Sequence, residues 1–319
     1  MSSPNGPAPG LPVRMPRPRQ PGRHRRPEPA AAPAGAPPLV LAVPGEADPA
    51  TRALAEEVLS IARSELPGLD AYVGRLDGDG DSEEGGDQQS LELVLSRAAA
   101  QHDARVSEAR EAGEAASPEE AALWERWPSA VVVPLLAGPD NSVLRRIRHS
   151  VMNSGSAAEL SDTLGPHPLL AEALHVRLSE AGLARADRAR LFTVATYADG
   201  IILATVGGDD AVAAAGITGM LLSARLAVPV LAAALDEEGA IARAADQLRA
   251  AGSQSLALAP YLIGPEIAEG LADAAAKEAE CAAARPLGAY PAVGKLVVAK
   301  YTEVLGMAAQ PSPQGAPTR

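Results

Sequence analysis

An internal repeat constrains the fold of this chain more than any other feature of its sequence. Three pairs of segments match in the same order along the chain, at offsets of 162, 126 and 123 residues. The pairs are 39–48 with 201–210, 134–140 with 260–266, and 164–168 with 287–291. Matches in a conserved order indicate a duplicated structural unit. The first copy carries 36 more residues between its first two landmarks, which is the difference between the first two offsets.

Each copy alternates between strand and helix patterns. Leu39–Val43 is a short, continuous apolar run, typical of a strand that is covered on both faces. Asp48 and Pro49 follow it as a helix N-cap and first helical residue. The same reading predicts strands at 71–76, 130–136, 200–205, 229–235 and 255–262, and helices near 90–112, 141–151, 211–227, 239–251, 266–280 and 291–305. This alternation predicts an α/β fold with two parallel sheets.

The two ends of the chain differ from the repeated body. Residues 1–38 hold six arginines against one glutamate and are crowded with proline, which predicts a disordered basic tail. We expect a second disordered tail at 307–319. Between the tails, an N-terminal module at 39–190 with an acidic insertion at about 77–128 precedes a C-terminal module at 191–306.

Composition excludes several functions. The net charge of −12 opposes binding to a phosphate backbone. Only eight residues are aromatic, which leaves few side chains on which bases could stack, so nucleic-acid binding is not expected. No apolar run reaches the roughly 18 residues that a membrane span needs. The single cysteine, Cys281, can form neither an internal disulfide nor a thiolate zinc cage. We therefore expect a cytoplasmic protein without a membrane partner.

Familiar catalytic motifs do not occur in the sequence. It has no G-x-S-x-G nucleophile turn, no Walker A sequence and no G-x-G-x-x-G segment after a strand. Asp77, Asp79 and Asp81 alternate as in a calcium loop, but Ser82 and Gln88 occupy the positions where that loop needs glycine and glutamate. A solvated loop is the better interpretation.

The repeated landmarks resemble those of the class II chelatases, the sirohydrochlorin cobaltochelatases and ferrochelatases of cobalamin and sirohaem synthesis. The landmarks are an apolar strand that enters a glycine-containing turn, a Pro-Leu segment with glycine, and Leu-Gly-x-x-Pro. The resemblance spans about residues 39–305. The duplicated sequence is similar to the long form of that family, in which two copies of the module are fused in tandem. It implies two chelatase-like modules, each a parallel sheet flanked by helices, facing each other across a cleft in a monomer with an internal pseudo-two-fold axis.

The family's histidines are missing from this sequence. In that family, the resemblance implies, one histidine follows the first strand and another follows the Pro-Leu segment. A neutral imidazole can both bind the metal ion and accept the pyrrole protons. Those positions hold Pro44 and Ser142 in the first copy, and Val206 and Ala268 in the second. Nearby carboxylates, namely Glu46, Asp48 and Asp140, are candidate metal ligands in their place, with Asp209, Asp210 and Glu266 in the second copy. For Asp48, a helix N-cap is the favoured alternative.

Arginines and glycines form the candidate substrate site. Arg145, Arg146 and Arg148 follow the second histidine position in an otherwise acidic body, and guanidinium groups pair well with the carboxylates of sirohydrochlorin, with Arg145 and Arg146 as the candidate contacts. A solvated helix face is the alternative interpretation. The resemblance adds the glycines of the landmark turns, which are Gly45, Gly138, Gly207 and Gly264.

Two functions from different classes follow from these features. The resemblance implies a sirohydrochlorin chelatase-like enzyme that inserts Co²⁺ or Fe²⁺, or Ni²⁺, as a substrate, with no permanently bound cofactor. The missing histidines favour a non-catalytic descendant that binds a tetrapyrrole or a metal. A third interpretation is an interaction scaffold that uses the basic tail and the acidic insertion.

Overall fold

The computed structural model describes residues 31–45, 48–77, 89–113, 122, 124, 126–185, 197–268 and 270–307. Most of the predicted tails, Glu46 and the acidic segment at 78–88 lie outside these residues. Residues 31–38, which the sequence placed in the basic tail, pack against the repeated body. The Ala32 N–H donates to the Pro67 carbonyl (2.9 Å), and the Tyr301 hydroxyl donates to the Pro37 carbonyl (2.6 Å).

The first copy forms a parallel sheet of four strands in the order β2-β1-β3-β4. The strands are β1 (Leu39–Val43), β2 (Ala71–Arg75), β3 (Val131–Pro134) and β4 (Glu159–Leu160). The helices of this copy are α1 (Pro49–Glu65), α2 (Leu91–Ala112), α3 (Asn141–Asn153) and α4 (Pro168–Glu180). Every residue of β1 is buried, as its unbroken apolar run predicts for a central strand with helices on both faces.

The second copy repeats this arrangement with the strand order β6-β5-β7-β8, again all parallel. Its strands are β5 (Gly200–Thr205), β6 (Val230–Ala234), β7 (Leu256–Pro260) and β8 (Ala282–Ala283). Its helices are α5 (Gly208–Leu226), α6 (Ala240–Ala250), α7 (Leu271–Glu278) and α8 (Pro291–Val304). The predicted α/β fold with two parallel sheets is confirmed.

Helix α7 begins five residues later than the predicted helix at 266–280. Glu266 does not enter a helix because its carboxylate accepts the backbone N–H groups of Ile263 (2.7 Å) and Gly264 (2.6 Å), which fixes a loop. The helix starts only after Gly270, which has a φ of 82°.

The last helix of each copy packs over the sheet of the other copy. Helix α4 contacts β7 and α5 of the second copy, and α8 contacts β3 and α1 of the first copy. The apolar side chains of both helices therefore join one buried cluster that spans both sheets. The predicted module boundaries at 190/191 remain predictions, but the hydrophobic core is shared across them. Among the described helices, none is long and apolar enough to cross a membrane.

Candidate functional site

The loops at the carboxyl ends of the central strands meet in pairs across the two copies. A side-chain carbon added at Gly207, after β5, would lie 2.8 Å from the carbonyl oxygen of Pro139, after β3. A side-chain carbon added at Gly45, after β1, would lie still closer to the carbonyl oxygen of Pro265, after β7. Both glycines have positive φ, 90° for Gly45 and 111° for Gly207. Glycine is therefore required on two counts, backbone conformation and lack of space.

An aspartate that sequence reasoning missed supports each of these glycines. The Gly45 N–H donates to Oδ2 of Asp77 (3.2 Å), and the Gly207 N–H donates to Oδ2 of Asp236 (3.0 Å). The signal was available in the sequence, since a Leu-Asp pair follows β2 and recurs after β6 at an offset of 159 residues. The preceding leucine in each copy continues the sheet, with its N–H bonded to the last residue of the central strand.

Two predicted substrate-binding residues, Gly45 and Arg146, are brought together by Asp77. One oxygen of its carboxylate accepts the Gly45 N–H, and the other forms an ion pair with Arg146. The guanidinium of Arg75 donates to the Gly45 carbonyl (3.2 Å) from the other side. Arg145 is exposed and donates to the Asn141 carbonyl of its own helix (3.1 Å).

The other predicted glycines face protein atoms. A side-chain carbon at Gly138 would lie 3.2 Å from the ring of Tyr261, and one at Gly264 would lie 3.3 Å from Leu54. Gly207 lies at the contact with Pro139 and is partly buried. A role in substrate binding remains a prediction for all four glycines.

The described candidate metal ligands cap helices. Asp48 accepts the backbone N–H (2.8 Å) and the hydroxyl (2.7 Å) of Thr51 at the start of α1. Both hydrogen bonds lower the pKa of Asp48, and the bond from the Thr51 hydroxyl has the larger effect. Asp140 accepts the N–H groups of Ser142 (2.8 Å) and Val143 (3.0 Å) at the start of α3. Their oxygens therefore satisfy helix ends that would otherwise lack partners.

The acids of the second copy are arranged differently. Burial raises the pKa of Glu266, and the hydrogen bonds from the Ile263 and Gly264 N–H groups offset only part of this rise. Asp210 accepts the side-chain amide of Asn141 across the two copies (2.8 Å). In the part of the chain that the structure describes, no three His, Cys, Asp or Glu side chains are grouped so that they could hold a metal ion.

The positions of the missing histidines lie where the repeat predicts. Pro44 and Val206 directly follow β1 and β5, Ser142 lies in the first turn of α3, and Ala268 lies in the loop before α7. The Ser142 hydroxyl donates to Asp140 (2.7 Å). His167 instead caps α4, its Nδ1 accepting the Leu169 N–H (3.1 Å), and burial lowers its pKa. That imidazole supports helix structure rather than these loops.

Together, the paired sheets and the meeting loops define a two-module α/β fold. No protein-family model matches this sequence, and no curated protein matches it either. Solved structures do match. One is described as SirB from Bacillus subtilis with Fe³⁺, at a TM-score of 0.55 and 13% sequence identity, over 84% of this chain and 95% of that chain. At this level of identity the comparison establishes the fold.

Proposed function

We propose that this chain binds an anionic tetrapyrrole of the sirohydrochlorin type at the carboxyl-end surface of its two sheets, as a carrier or regulatory protein that does not insert metal. The observation that carries the proposal is the donor set at this surface. The four histidine positions hold Pro44, Ser142, Val206 and Ala268, while Asp48 and Asp140 are engaged as helix caps.

Metal insertion demands two groups that this surface lacks. One must hold a partly dehydrated divalent ion over the ring, and the other must accept the two pyrrole protons. Proline, valine and alanine side chains coordinate nothing, and a capped aspartate with a lowered pKa is a weak base near neutral pH. The residues at this surface therefore do not fit a divalent metal ion as a substrate. The finding favours the non-catalytic descendant over the chelatase.

Ligand binding is supported by charge at the same surface. Arg145 and Arg146 are exposed in the first turns of α3, and Asp77 holds the guanidinium of Arg146 near Gly45. Sirohydrochlorin carries many carboxylates, and guanidinium groups recognise carboxylates with paired hydrogen bonds. An incoming carboxylate exchanges with Asp77 or adds to the exposed side of Arg145.

The test is anaerobic titration of the purified protein with sirohydrochlorin, followed by addition of Co²⁺, with absorbance spectra throughout. We expect the free ring's spectrum to shift on binding, and the rate of Co²⁺ insertion to stay at or below that of the protein-free reaction. The double variant Arg145→Ala/Arg146→Ala should bind roughly tenfold more weakly, the effect of losing one charged hydrogen bond.

Arg148→Ala is the matched control. It removes one positive charge from the same helix, where the double variant removes two. The structure places Arg148, which the sequence grouped with Arg145 and Arg146, beside a different pocket, with Trp127 and Met152. Its affinity for sirohydrochlorin should equal that of the parent. Insertion faster than the protein-free reaction would show that the chain is a catalyst with other ligands, and an unchanged spectrum would refute tetrapyrrole binding.

A further inference from the structure

A pocket of about 610 Å³ lies beside β2, the edge strand of the first sheet, between α1 and α2. Apolar side chains, among them Leu59 and Val73, form part of its wall. Every described lining residue lies between Val43 and Gln101, so all of them belong to the first copy. It is therefore separate from the surface that both copies form, although Arg75 takes part in both.

Among the described residues that line this pocket, four are arginines and one, Glu56, is acidic. The arginines are Arg52, Arg63, Arg75 and Arg97. This concentration is unexpected in a chain with 40 acidic and 28 basic residues. Positive charge gathered in a concave site attracts anions.

None of these four arginines has a carboxylate within 4 Å in the described part of the chain. Arginines elsewhere do, for example Arg105 with Asp70 at 2.7 Å. Arg63 and Arg97 of the pocket instead donate hydrogen bonds to neutral oxygen atoms. Arg63 donates to the Ala71 carbonyl (2.6 Å), and Arg97 donates to the side-chain amide of Gln89 (2.8 Å).

Arg75 is only 3% exposed, and its Nε is buried without a hydrogen-bond partner. The Nε of Arg52 is likewise buried and unpartnered. Burial lowers the pKa of Arg75 by more than Asp48 and Asp77 raise it, so these carboxylates offset only part of the cost of burying the guanidinium. A buried charge is costly unless it is paired and hydrogen-bonded. An oxyanion would supply both.

The fold itself does not require these two arginines. The 162-residue offset of the repeat places Ala214 at the position of Arg52. In the sheets, Val43 pairs with Arg75 in the first copy, and the matching Thr205 pairs with Ala234 in the second. The second copy therefore builds the same strand and helix with buried alanines.

We propose that this pocket is a second ligand site, which binds a small organic anion. Its carboxylate or phosphate group pairs with Arg75 and Arg52, the exposed Arg63 and Arg97 attract it at the mouth, and its apolar body packs against Val73 and Leu59. This site does not depend on the proposed tetrapyrrole surface, which uses the arginines of α3.

The test is calorimetric titration of the full-length protein with benzoate, phenyl phosphate and the neutral benzamide. We expect one or both anions to bind and benzamide not to bind, and the anion that binds identifies the group. Arg75→Ala and Arg52→Ala, which copy the second repeat, should each weaken binding roughly tenfold or more. Arg243→Ala is the control, because Arg243 is exposed in the second copy and pairs with Glu237.

Three results would overturn this site: no binding of either anion, benzamide binding as well as the anions, or parental affinity in both pocket variants. Should Arg75→Ala not fold, Arg52→Ala decides, because Arg52 is only half-buried near the start of α1. Arg145→Ala/Arg146→Ala should retain anion binding. This keeps the failure of either proposal distinguishable from the failure of the other.

Discussion

Tyr261 and Tyr301 are the largest fully buried side chains of the described chain, and Tyr261 lies where the two copies meet. It follows β7, and the repeat places Leu135 at the same position in the first copy. Its hydroxyl accepts a hydrogen bond from Thr218 on α5 (3.2 Å). Its ring lies against Gly138 of the first copy. Burial raises its pKa to about 12, which the Thr218 bond only partly offsets.

This raised pKa predicts a loss of stability in alkali. The folded state holds the Tyr261 proton more tightly than the unfolded state, whose pKa is about 10. The stabilisation is therefore complete below pH 10 and disappears as pH rises towards 12. At pH 11 the loss should reach about 1.4 kcal/mol. Urea unfolding from pH 8 to pH 11 measures it.

Tyr261→Phe is the comparison for this prediction. The variant should be less stable at pH 8, because the buried Thr218 hydroxyl loses its partner. It should then lose about 1.4 kcal/mol less than the parent between pH 8 and pH 11. Tyr301, whose pKa burial also raises, contributes equally to both proteins. Parallel pH profiles would contradict the assignment to Tyr261.

Single residues show how far sequence reasoning reached into the site. The N-cap role of Asp48 was the favoured alternative because Asp-Pro before an apolar helical period is a strong local signal. Asp77 was missed because it was grouped with the acidic segment that follows it. Its role depends on the pairing of β1 with β2, and a strand's neighbour is a long-range property. The convergence of Arg52, Arg63, Arg75 and Arg97 on one pocket was hidden for the same reason.

At the scale of elements, α8 and α1 approach closely at Gly294. A side-chain carbon there would lie 2.7 Å from Cβ of Ile61 and 3.3 Å from the Val58 carbonyl. Gly294→Ala should therefore destabilise the protein by about 1–3 kcal/mol, the cost of overpacking, despite alanine's better helix propensity. Urea unfolding at neutral pH measures the change.

Gly216→Ala is the matched control, because Gly216 lies inside α5 with no atom within 4 Å of the added carbon. Only helix propensity changes there, so this variant should be more stable by about 0.5–1 kcal/mol. The two substitutions should thus have opposite signs. Stabilisation by Gly294→Ala would mean that α8 does not pack on α1 as described.

Element types were predictable, but their partners were not. Apolar periodicity and the Pro residues at 49 and 291 located α1 and α8 to within a few residues. Periodicity identifies which face of a helix is buried, but not which sheet covers it. The exchange of α4 and α8 between the copies therefore left no mark in the sequence. The two-residue strands β4 and β8 are too short for any periodic signal.

At the scale of the whole molecule, the exchanged helices make the two copies one structural unit. One buried cluster contains residues of β1 and β3 together with residues of β5 and β7. The indole of Trp127 also donates to the carbonyl of Leu305, just beyond α8 (3.4 Å). The monomeric state remains a prediction. It rests on the argument that the second copy supplies the paired surface that a protein with a single copy would obtain by forming a dimer.

A shared core predicts that both copies unfold together, although chains with several modules often unfold in steps. The sequence provides a probe for each copy. Trp124 reports on the first copy, whereas Trp127 also contacts Leu305 and is replaced by Phe for this measurement. The single cysteine, Cys281, packs against the second copy's own cluster. In urea, tryptophan fluorescence and the rate of Cys281 labelling should give the same midpoint. Leu170→Ala on α4 should lower the free energy of unfolding by about 2–5 kcal/mol, because Leu170 belongs to the shared cluster. Both urea midpoints should therefore fall by the same amount. Separate midpoints, or a shift in only one of them, would mean that the copies fold independently.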